Sequence, residues 1–338
     1  MKTTAELMDR LTQPNPSLLE DISQIKGDLL ILGVGGKMGP SLAILAKRAF
    51  LQCGMTNRVI GVSRFSDPVK QKELEDAGVE TIRGDLLSDP FLQSLPSVPN
   101  VIFMAGQKFG TIGQEPLTWT MNTYLPGRVA DKFKASRIVV FSTGNVYPFT
   151  AVNGAGASEE TPVGPVGEYA QSCLGRERMF QYFAKQNGTP ILIFRLNYAL
   201  DLRYGVLNDI ARKVWRGEPI NLEMGYVNVI WQGDANAYAI RSLLLCESPA
   251  RVLNVTGPEK LSLRDLAITF GERLQKRVQL EGEASATALL SDASRCFTEL
   301  GTPSVTADEL IDWTVEWIQS GGEALNKPTK FQVRDGKF

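Results

Sequence analysis

The sequence predicts an α/β protein built on a doubly wound parallel sheet, with a smaller C-terminal lobe. Two observations lead to this fold class. Short, continuously apolar runs recur between residues 27 and 197, and longer stretches with helical periodicity separate them. Apolar strands that alternate with helices are typical of parallel sheets covered on both faces. In addition, a glycine-rich segment at residues 33–39 follows the first apolar run directly and precedes a helix.

The predicted elements begin with a short helical extension at residues 1–26. The sheet domain follows at residues 27–197, and residues 226–245 return to it. A long helix runs from about Glu168 to Gln186 before the last strand. The predicted strands are Gly27–Leu32, Arg58–Val62, Val79–Ile82, Asn100–Met104, Ser136–Phe141 and Pro190–Phe194.

The remainder of the chain has a looser pattern of mixed helices and short strands, which predicts the smaller lobe at residues 198–330. We expect this lobe to cover a substrate, because ligands of doubly wound sheets bind at the carboxyl ends of the strands. The chain end Lys327–Phe338 is polar, so we expect it on the surface, with residues 331–338 as a tail.

Composition narrows the classes of partner. The 338 residues include 36 Lys and Arg against 37 Asp and Glu, a formal net charge of −1. This balance, without a basic run, argues against a nucleic-acid partner, so we expect a small-molecule partner. The chain has no histidine, which excludes Ser-His-Asp hydrolysis and zinc sites with histidine ligands. Its four cysteines form no CxxC pair, so we expect neither a metal site nor a disulfide framework.

The chain start and the apolar runs bear on location. The opening MKTTAELMDRL carries acidic residues and lacks the apolar core of a signal peptide. No apolar run approaches the ~20 residues that span a bilayer. We therefore expect a cytoplasmic protein without a membrane partner.

The glycine-rich segment has the spacing GxxGxxG, with Gly33, Gly36 and Gly39. Glycine permits the tight turn, the approach of backbone to a pyrophosphate, and the packing of helix on strand. The helix N-terminus presents unpaired N–H groups to the phosphates. Because the segment lies between a strand and a helix, it predicts a dinucleotide site of the Rossmann type. Lys37 and Met38 lie in the same loop and are predicted cofactor contacts.

The end of the second strand bears on the choice between NAD and NADP. A carboxylate at this place would bind the adenosine ribose and favour NAD. Here the strand ends with Ser63 and Arg64. A guanidinium beside a hydroxyl suits a 2′-phosphate, because arginine makes paired charge-assisted bonds to phosphate oxygens. The sequence thus favours NADP over NAD, while a solvated arginine at a strand end is the alternative.

Further fragments follow the glycine loop in a recognisable order. They are Gly84–Leu87, Phe103–Gly106, Asn122, Phe141–Tyr147, Tyr169–Ser172, Val229–Ala235, Asn254–Pro258 and Leu290–Ser294. Together they cover most of residues 27–320, and in order and spacing the chain resembles an extended short-chain dehydrogenase/reductase of the NAD-dependent epimerase/dehydratase type.

The resemblance implies which residues contact the cofactor. Asp85 and Leu86 match the adenine contacts. Met104, Ala105 and Gly106 match the segment along the ribose and pyrophosphate. The remaining cofactor positions implied by the resemblance are Asn122, Ser142, Tyr169 and Asn197.

The resemblance also implies the catalytic positions. Thr143 matches the family's Ser/Thr, whose hydroxyl hydrogen-bonds the reacting oxygen of the substrate. Tyr169 matches the family's acid/base, which exchanges a proton with that oxygen. The alternatives are a strand-end residue that caps a turn for Thr143 and a core aromatic for Tyr169.

One position departs from the family pattern Tyr-x-x-x-Lys, because Cys173 stands where the lysine belongs. In the family this lysine lowers the tyrosine pKa and holds the ribose hydroxyls of the cofactor. A neutral thiol supplies no such charge, so Cys173 is favoured as a small buried apolar residue over a redox or nucleophilic group. Two cations are candidate replacements, namely Arg176 on the same helix face and Lys108 after the fourth strand. For Lys108, predicted as a catalytic and substrate-binding residue, the alternative is a solvated loop lysine.

These features predict an NAD(P)-dependent oxidoreductase or epimerase that acts on a hydroxyl or keto group of a sugar-like molecule, whether a sugar, a sugar acid or a polyol. The alternative is a catalytically silent dinucleotide-binding sensor or scaffold, which the loss of the lysine at position 173 keeps open. Dehydratase chemistry is disfavoured, because Gly144 and Asn145 follow Thr143 where that chemistry usually has a carboxylate. The predicted substrate contacts are Lys108, Thr143, Asn145, Arg203 and Trp231.

The resemblance also predicts a homodimer with two-fold symmetry. Extended members of the family commonly pair the helices that follow the fourth and fifth strands. In this chain those helices are expected at roughly Leu117–Lys134 and Glu168–Gln186.

Overall fold

The computed structural model describes residues 1–108, 110, 112–327 and 329–337. Its strands are β1 (Leu29–Leu32), β2 (Val59–Ser63), β3 (Glu80–Arg83), β4 (Asn100–Phe103), β5 (Arg137–Thr143), β6 (Thr150–Ala151), β7 (Ile191–Leu196), β8 (Ala199–Leu200), β9 (Ile220–Asn221), β10 (Tyr226–Val227), β11 (Ile230–Trp231), β12 (Arg251–Val255), β13 (Leu261–Ser262), β14 (Leu280–Glu281) and β15 (Thr287–Ala288).

The helices alternate with the strands over the first two thirds of the chain. They are α1 (Thr4–Leu11), α2 (Pro16–Ile22), α3 (Gly39–Gln52), α4 (Pro68–Asp76), α5 (Asp89–Ser94), α6 (Glu115–Trp119), α7 (Leu125–Lys132), α8 (Gly167–Asn187), α9 (Val206–Arg216), α10 (Gln232–Arg241), α11 (Leu263–Leu274), α12 (Ser294–Leu300) and α13 (Ala307–Gln319). A π-helical turn at Thr120–Tyr124 joins α6 to α7, and 3₁₀ turns lie at Gly144–Val146 and Ser242–Leu245. Among the described residues, no helix combines the length and the apolarity needed to cross a bilayer.

The central sheet has seven strands in the order β12-β7-β5-β4-β1-β2-β3, and each neighbouring pair is parallel. Side chains alternate between the faces of a strand, so Ile31 and Ile102 pack on one face while Leu30 and Val101 pack on the other. Both faces are buried under helices, which explains why the central strands are continuously apolar. The predicted doubly wound fold is confirmed.

The edge strand β12 lies in the range that the sequence assigns mainly to the smaller lobe. It pairs with β7 in the main sheet. Its sequence RVLNV begins with an arginine and has an asparagine between apolar residues, which leaves only a short apolar run. As an edge strand it has only one neighbour, so it lacks the continuous apolar run by which the six predicted strands are recognised.

The smaller lobe packs α9, α11 and α13 around a second apolar cluster that includes Leu207, Phe270 and Trp317. The return segment contributes α10, which packs against α3. A hydrogen bond of 2.9 Å from Gln232 Nε2 to Ser41 Oγ joins these two helices. The N-terminal helices α1 and α2 are part of the same packing, since Leu7 and Leu18 are fully buried.

The chain end corrects the expectation of a surface tail. Phe331 is only 4 % exposed and belongs to the apolar cluster of the smaller lobe. Arg334 donates hydrogen bonds to the carbonyl and the hydroxyl of Thr287. Phe331 and Arg334 thus attach this segment to the rest of the protein, although its composition is otherwise polar. We call residues 323–327 and 329–337 the C-terminal strap; Phe338, the last residue of the predicted tail, lies outside the described residues.

Candidate active site

A cavity of about 420 Å³ opens at the carboxyl ends of β1, β4, β5 and β7. It brings together most of the residues that the sequence predicts for cofactor, substrate and catalysis. These are Gly33, Gly36, Lys37, Met38, Met104, Gly106, Lys108, Ser142, Thr143, Asn145, Tyr169 and Asn197. The wall also contains Phe141, Leu196, Tyr198, Ala199, Tyr204, Gly205, Val206, Lys327 and Thr329.

The glycine loop is tightly packed where its sequence requires glycine. A Cβ atom on Gly33, whose φ is +91°, would lie 2.6 Å from the Ala105 backbone nitrogen. A Cβ atom on Gly39 would lie 2.1 Å from the Val34 carbonyl oxygen. Both contacts are shorter than a side chain tolerates, so the loop keeps its path only with glycine at these two places.

The loop also fits the phosphates of a dinucleotide. Gly36 faces the cavity, and the N-terminus of α3 begins three residues later without a side-chain hydrogen bond to its first N–H groups. Unpaired N–H groups at a helix start attract anions. The residues present are therefore compatible with a bound pyrophosphate.

Several predicted cofactor residues lie behind or beside the cavity wall. Asn122 is buried and holds the backbone of Gln107 from both sides, with two hydrogen bonds of 2.8 Å. Ser63 lies next to the glycine loop, since a Cβ atom on Gly35 would be 2.5 Å from its hydroxyl oxygen. Arg64 and Asp85 are exposed, just after the ends of β2 and β3. The Leu86 side chain is buried in the apolar core of the sheet domain, so only its backbone is available to a ligand.

Two residues predicted as substrate contacts, Arg203 and Trp231, are not among the residues of this wall. Arg203 forms an ion pair of 3.0 Å with Asp201. Trp231 is 2 % exposed, and its ring packs edge-on against Trp313 in the core of the smaller lobe. Each side chain thus has a structural partner, and sequence position alone does not reveal such partners.

Tyr169 and Thr143 meet inside the cavity. Thr143 ends β5, and Tyr169 lies in the first turn of α8. Both side chains line the cavity, and Thr143 and Cys173 are among the neighbours that act on the pKa of Tyr169. Burial, and after it Cys173, raises the pKa of Tyr169 well above the usual value of a phenol, while Arg176 and Thr143 act in the opposite direction. The phenol is therefore protonated near neutral pH.

Cys173 is 1 % exposed and packs with Val146, Tyr147 and Ala157. Burial raises the pKa of its thiol, against the opposing charge of Arg176. A protonated and inaccessible thiol is neither a nucleophile nor a redox group. The geometry agrees with the reading of Cys173 as a small packing residue.

Both candidate cations lie near the tyrosine. The Lys108 Nζ is 5.9 Å from the centre of the Tyr169 ring. Burial lowers the pKa of Lys108 to about 8, although Cys173 raises it. Arg176 is buried in the sheet domain, where it donates hydrogen bonds of 2.7 Å to the Phe141 carbonyl and 2.8 Å to Asn122 Oδ1. Lys108 thus approaches from the cavity side, and Arg176 lies in the protein interior.

Lys37 connects the glycine loop to the smaller lobe. Its Nζ donates a hydrogen bond of 3.3 Å to the Ala199 carbonyl and lies 4.8 Å from the centre of the Tyr204 ring. Burial lowers the pKa of Lys37 to about 8, with Asp201 opposing. The neighbouring Tyr198 has a φ of +44°, a left-handed conformation that costs energy in a non-glycine residue.

A sequence profile of the NAD dependent epimerase/dehydratase family matches residues 29–201, more than half of the chain. The chain belongs to the NAD dependent epimerase/dehydratase family. This confirms the family predicted from the motifs, and with it the expectation of a nicotinamide-dependent enzyme. No curated protein matches the chain by sequence.

Solved structures share the fold at low sequence identity. UDP-glucuronic acid 4-epimerase from Bacillus cereus, as the Y149F mutant with NAD, is 17 % identical, with a TM-score of 0.69 over 86 % of this chain and 99 % of that one. UDP-glucose 4-epimerase from Thermus thermophilus, in complex with NAD, is 18 % identical, with a TM-score of 0.70 over 86 % and 99 %. A double mutant of dTDP-glucose 4,6-dehydratase from Streptomyces venezuelae, with NAD bound, is 17 % identical, with a TM-score of 0.71 over 86 % and 96 %.

In this member of the epimerase/dehydratase family, a buried ionic network supports the end of β5. The Ser142 hydroxyl donates a hydrogen bond of 2.6 Å to Glu177, and Arg195 binds the same carboxylate through Nε and Nη2 at 2.9 and 2.6 Å. Arg195 also donates to the Tyr147 hydroxyl at 2.6 Å. Ser142, predicted as a cofactor residue, is thus also a structural residue that fixes the strand carrying Thr143.

Lys327 and Thr329 are wall residues of this family member that the sequence analysis missed. They lie in the C-terminal strap. The Thr329 hydroxyl donates a hydrogen bond to Asp209 of α9, which lies 120 residues earlier in the chain. Such a contact comes from tertiary packing and leaves no local signal. The sequence offers one indication that this segment packs against the protein, namely a phenylalanine, Phe331, within a polar stretch. In the structure Phe331 is buried.

Proposed function

We propose that the protein catalyses hydride exchange between a nicotinamide cofactor and a carbon that bears a hydroxyl or keto group in a sugar-like substrate. The observation that carries this proposal is that Tyr169 and Thr143 lie together in the cavity wall that also contains the glycine loop. A protein that only binds a dinucleotide requires neither hydroxyl.

Tyr169 acts as the acid/base and Thr143 as the residue that orients the reacting oxygen. Because the pKa of Tyr169 is raised by burial, the phenol holds its proton and can donate it to a substrate carbonyl oxygen. Thr143 hydrogen-bonds the same oxygen and keeps it within reach of the phenol. The positive charges of Arg176 and Lys108 then stabilise the phenolate that remains. The cofactor, when bound, supplies or accepts the hydride.

The cofactor would be held by the glycine loop, with Met104 and Gly106 along its path and Asn197 near its reacting end. Ser63 and Arg64 would receive the adenosine side. We propose that NADP is preferred over NAD, because Arg64 is exposed beside a hydroxyl and no carboxylate ends β2. The related structures named above contain NAD, so a preference for NADP would distinguish this chain from them.

The decisive experiment combines identification of the bound nucleotide with a turnover assay. Mass spectrometry of denatured protein identifies any nucleotide that copurifies. Turnover is followed by the absorbance of the reduced nicotinamide, with a panel of sugars, sugar acids and polyols. Tyr169→Phe removes the proton-transferring hydroxyl, so we expect turnover to fall at least ~100-fold while cofactor affinity stays within about twofold.

Tyr182→Phe is the matched control, because Tyr182 lies on the same helix and is 58 % exposed. It should retain full activity. If no member of the panel supports hydride exchange and Tyr169→Phe changes only ligand affinity, the silent sensor or scaffold is the correct function and the proposal is refuted.

We also propose a homodimer. The surface of α6, α7 and α8 exposes several large apolar side chains, namely Leu117, Trp119, Tyr124 and Tyr182. Between them lies a shallow cavity of about 610 Å³ that Met179 and Phe183 help to line. Exposed apolar patches of this kind mark interaction surfaces, and these helices are the ones that the sequence predicts to pair.

A further inference from the structure

Three lysines from three separate parts of the fold line the cavity. Lys37 comes from the glycine loop, Lys108 follows β4, and Lys327 belongs to the C-terminal strap. Within the described residues of the wall there is no Asp or Glu. A cavity lined by several cations and no carboxylate attracts an anionic ligand.

Two acidic groups close to the wall, Asp201 and Asp209, have other partners. Asp201 acts on Lys37 but is bonded to Arg203 at 3.0 Å. Asp209 accepts the hydrogen bond of Thr329 in the strap, and burial raises the pKa of its carboxyl. Burial also lowers the pKa of both Lys37 and Lys108 to about 8. An anion between the ammonium groups would relieve this cost of charging them.

Lys327 is held on the side of the smaller lobe. The preceding Leu325 donates a backbone hydrogen bond of 3.0 Å to the Arg203 carbonyl. The Thr329 hydroxyl donates to Asp209 of α9 at 2.5 Å. The residues on both sides of Lys327 are thus bonded to the smaller lobe rather than to the sheet domain, which contains the glycine loop.

The size of the cavity limits what accompanies the cofactor. Its volume of about 420 Å³ is near the lower end of the ~300–1,000 Å³ typical of ligand sites. Part of the wall is the glycine loop with Met104 and Gly106, which the proposed function assigns to the cofactor. The rest of the wall, which includes Thr143, Tyr169 and Lys327, is left to the substrate.

We propose that the substrate is a small sugar acid or sugar phosphate, whose anionic group binds Lys327 together with Lys37. This inference rests on the proposed oxidoreductase function of the same cavity. It assigns Lys327 as a specificity-determining residue, and it separates carboxylate and phosphate substrates from neutral sugars and from nucleotide sugars.

The test measures binding and turnover with the full chain saturated with the preferred nicotinamide cofactor. The probes are hexuronates, hexonates and hexose phosphates, each matched with the neutral hexose, together with UDP-glucose. Calorimetry gives the affinities, and the absorbance of the reduced nicotinamide gives turnover. We expect at least one anionic probe to bind tenfold or more tightly than its neutral partner, and the class of that probe identifies carboxylate or phosphate.

Lys327→Met should weaken binding of that anionic probe at least tenfold and leave the affinities for the neutral hexose and the cofactor unchanged. Lys330→Met is the control, because Lys330 lies in the same strap but outside the wall of this cavity. The inference is overturned if neutral and anionic probes bind equally, if none of the anionic probes binds, if UDP-glucose binds most tightly, or if Lys327→Met has no effect.

The two proposals fail in different ways. Anion binding that depends on Lys327 but gives no hydride exchange with any probe would refute the proposed function and leave the anion site in place. Hydride exchange with neutral sugars, unaffected by Lys327→Met, would support the function and refute the anionic substrate.

Discussion

Removing the positive charge of Lys108 tests how the tyrosine is tuned without the family's lysine. The Lys108 Nζ lies 5.9 Å from the Tyr169 ring centre. For a phenolate at a similar distance and an effective dielectric constant of about 20, Coulomb's law yields about 2.8 kcal/mol, or about two pKa units. Solvent at the cavity mouth reduces this value, so we expect Lys108→Gln to raise the pKa of Tyr169 by about one to two units.

The effect of Lys108→Gln on the rate depends on whether the reaction needs the protonated or the deprotonated form of Tyr169. Alcohol oxidation requires the phenolate as base, so below pH 8, where Lys108 is charged, the part of the kcat/KM profile that rises with pH should move upward by about one to two units in Lys108→Gln, whereas above pH 8 the neutral amine has no such effect. Carbonyl reduction requires the protonated phenol and should keep its rate near neutral pH. Because the pKa of Lys108 is about 8, the difference between wild type and variant should be greatest below pH 8, where the lysine is charged.

A second substitution should return the charge from another position. Cys173→Lys in the Lys108→Gln background places an ammonium group one helical turn from Tyr169. We expect it to recover at least half of the shift in the pH profile. Lys185→Gln, at an exposed position of the same helix, is the control and should leave the profile unchanged. An unchanged profile in Lys108→Gln would refute the reasoning and leave Arg176 as the cation that tunes the tyrosine.

Three further expectations concern the cofactor, the buried network and assembly. Arg64→Asp should reverse or abolish a preference for NADP(H) in fluorescence titrations, because it places a negative charge beside the 2′-phosphate; unchanged selectivity would remove Arg64 from the site. Glu177→Ala leaves the buried Arg195 without its carboxylate, which costs about 3–5 kcal/mol and, at about 2.1 cal/mol/K per residue, lowers Tm by about 4–7 °C, with a smaller fall for Glu177→Gln. Light scattering at micromolar concentration should show a dimer that Tyr124→Glu, at a 57 % exposed position of the apolar surface, converts to monomer, and a monomeric wild type would contradict the proposed assembly.

The centre of the fold was predictable because local patterns determine it. Continuous apolar runs identify β1, β2, β4, β5 and β7, and glycine spacing identifies the loop between β1 and α3. What escaped prediction depends on contacts between distant segments. Glu177 on α8 looks like a solvated helix residue until Arg195 is placed beside it, and Lys327 becomes a wall residue only because Phe331 anchors the strap.

The same limitation applies to Arg203 and Trp231, the two predicted substrate residues that are not in the cavity wall. Arg203 and Trp231 lie at the right places along the chain to close over a ligand. Whether such side chains face the cavity depends on competing partners, here Asp201 and Trp313. Sequence patterns indicate which segments approach a site more reliably than which side chains of those segments point into it.

Cys173 leads to a final prediction, which separates a reductase from an epimerase. The family's lysine has two tasks, since it lowers the tyrosine pKa and holds the cofactor ribose. Arg176 contributes to the first task, but its guanidinium is bonded to Phe141 and Asn122 in the protein interior, and the buried thiol of Cys173 performs neither task. The ribose therefore loses one of its anchors, and we expect a cofactor that dissociates, with a micromolar Kd.

A dissociating cofactor suits a dehydrogenase or reductase, in which each turnover consumes one cofactor molecule. An epimerase oxidises and then reduces the same carbon, so it regenerates its cofactor and benefits from retaining it. We expect the purified protein to carry little nucleotide, and Cys173→Lys to tighten cofactor binding several-fold. Stoichiometric nucleotide that survives gel filtration of the wild type would contradict this argument and favour the epimerase, because retention would then not depend on the missing lysine.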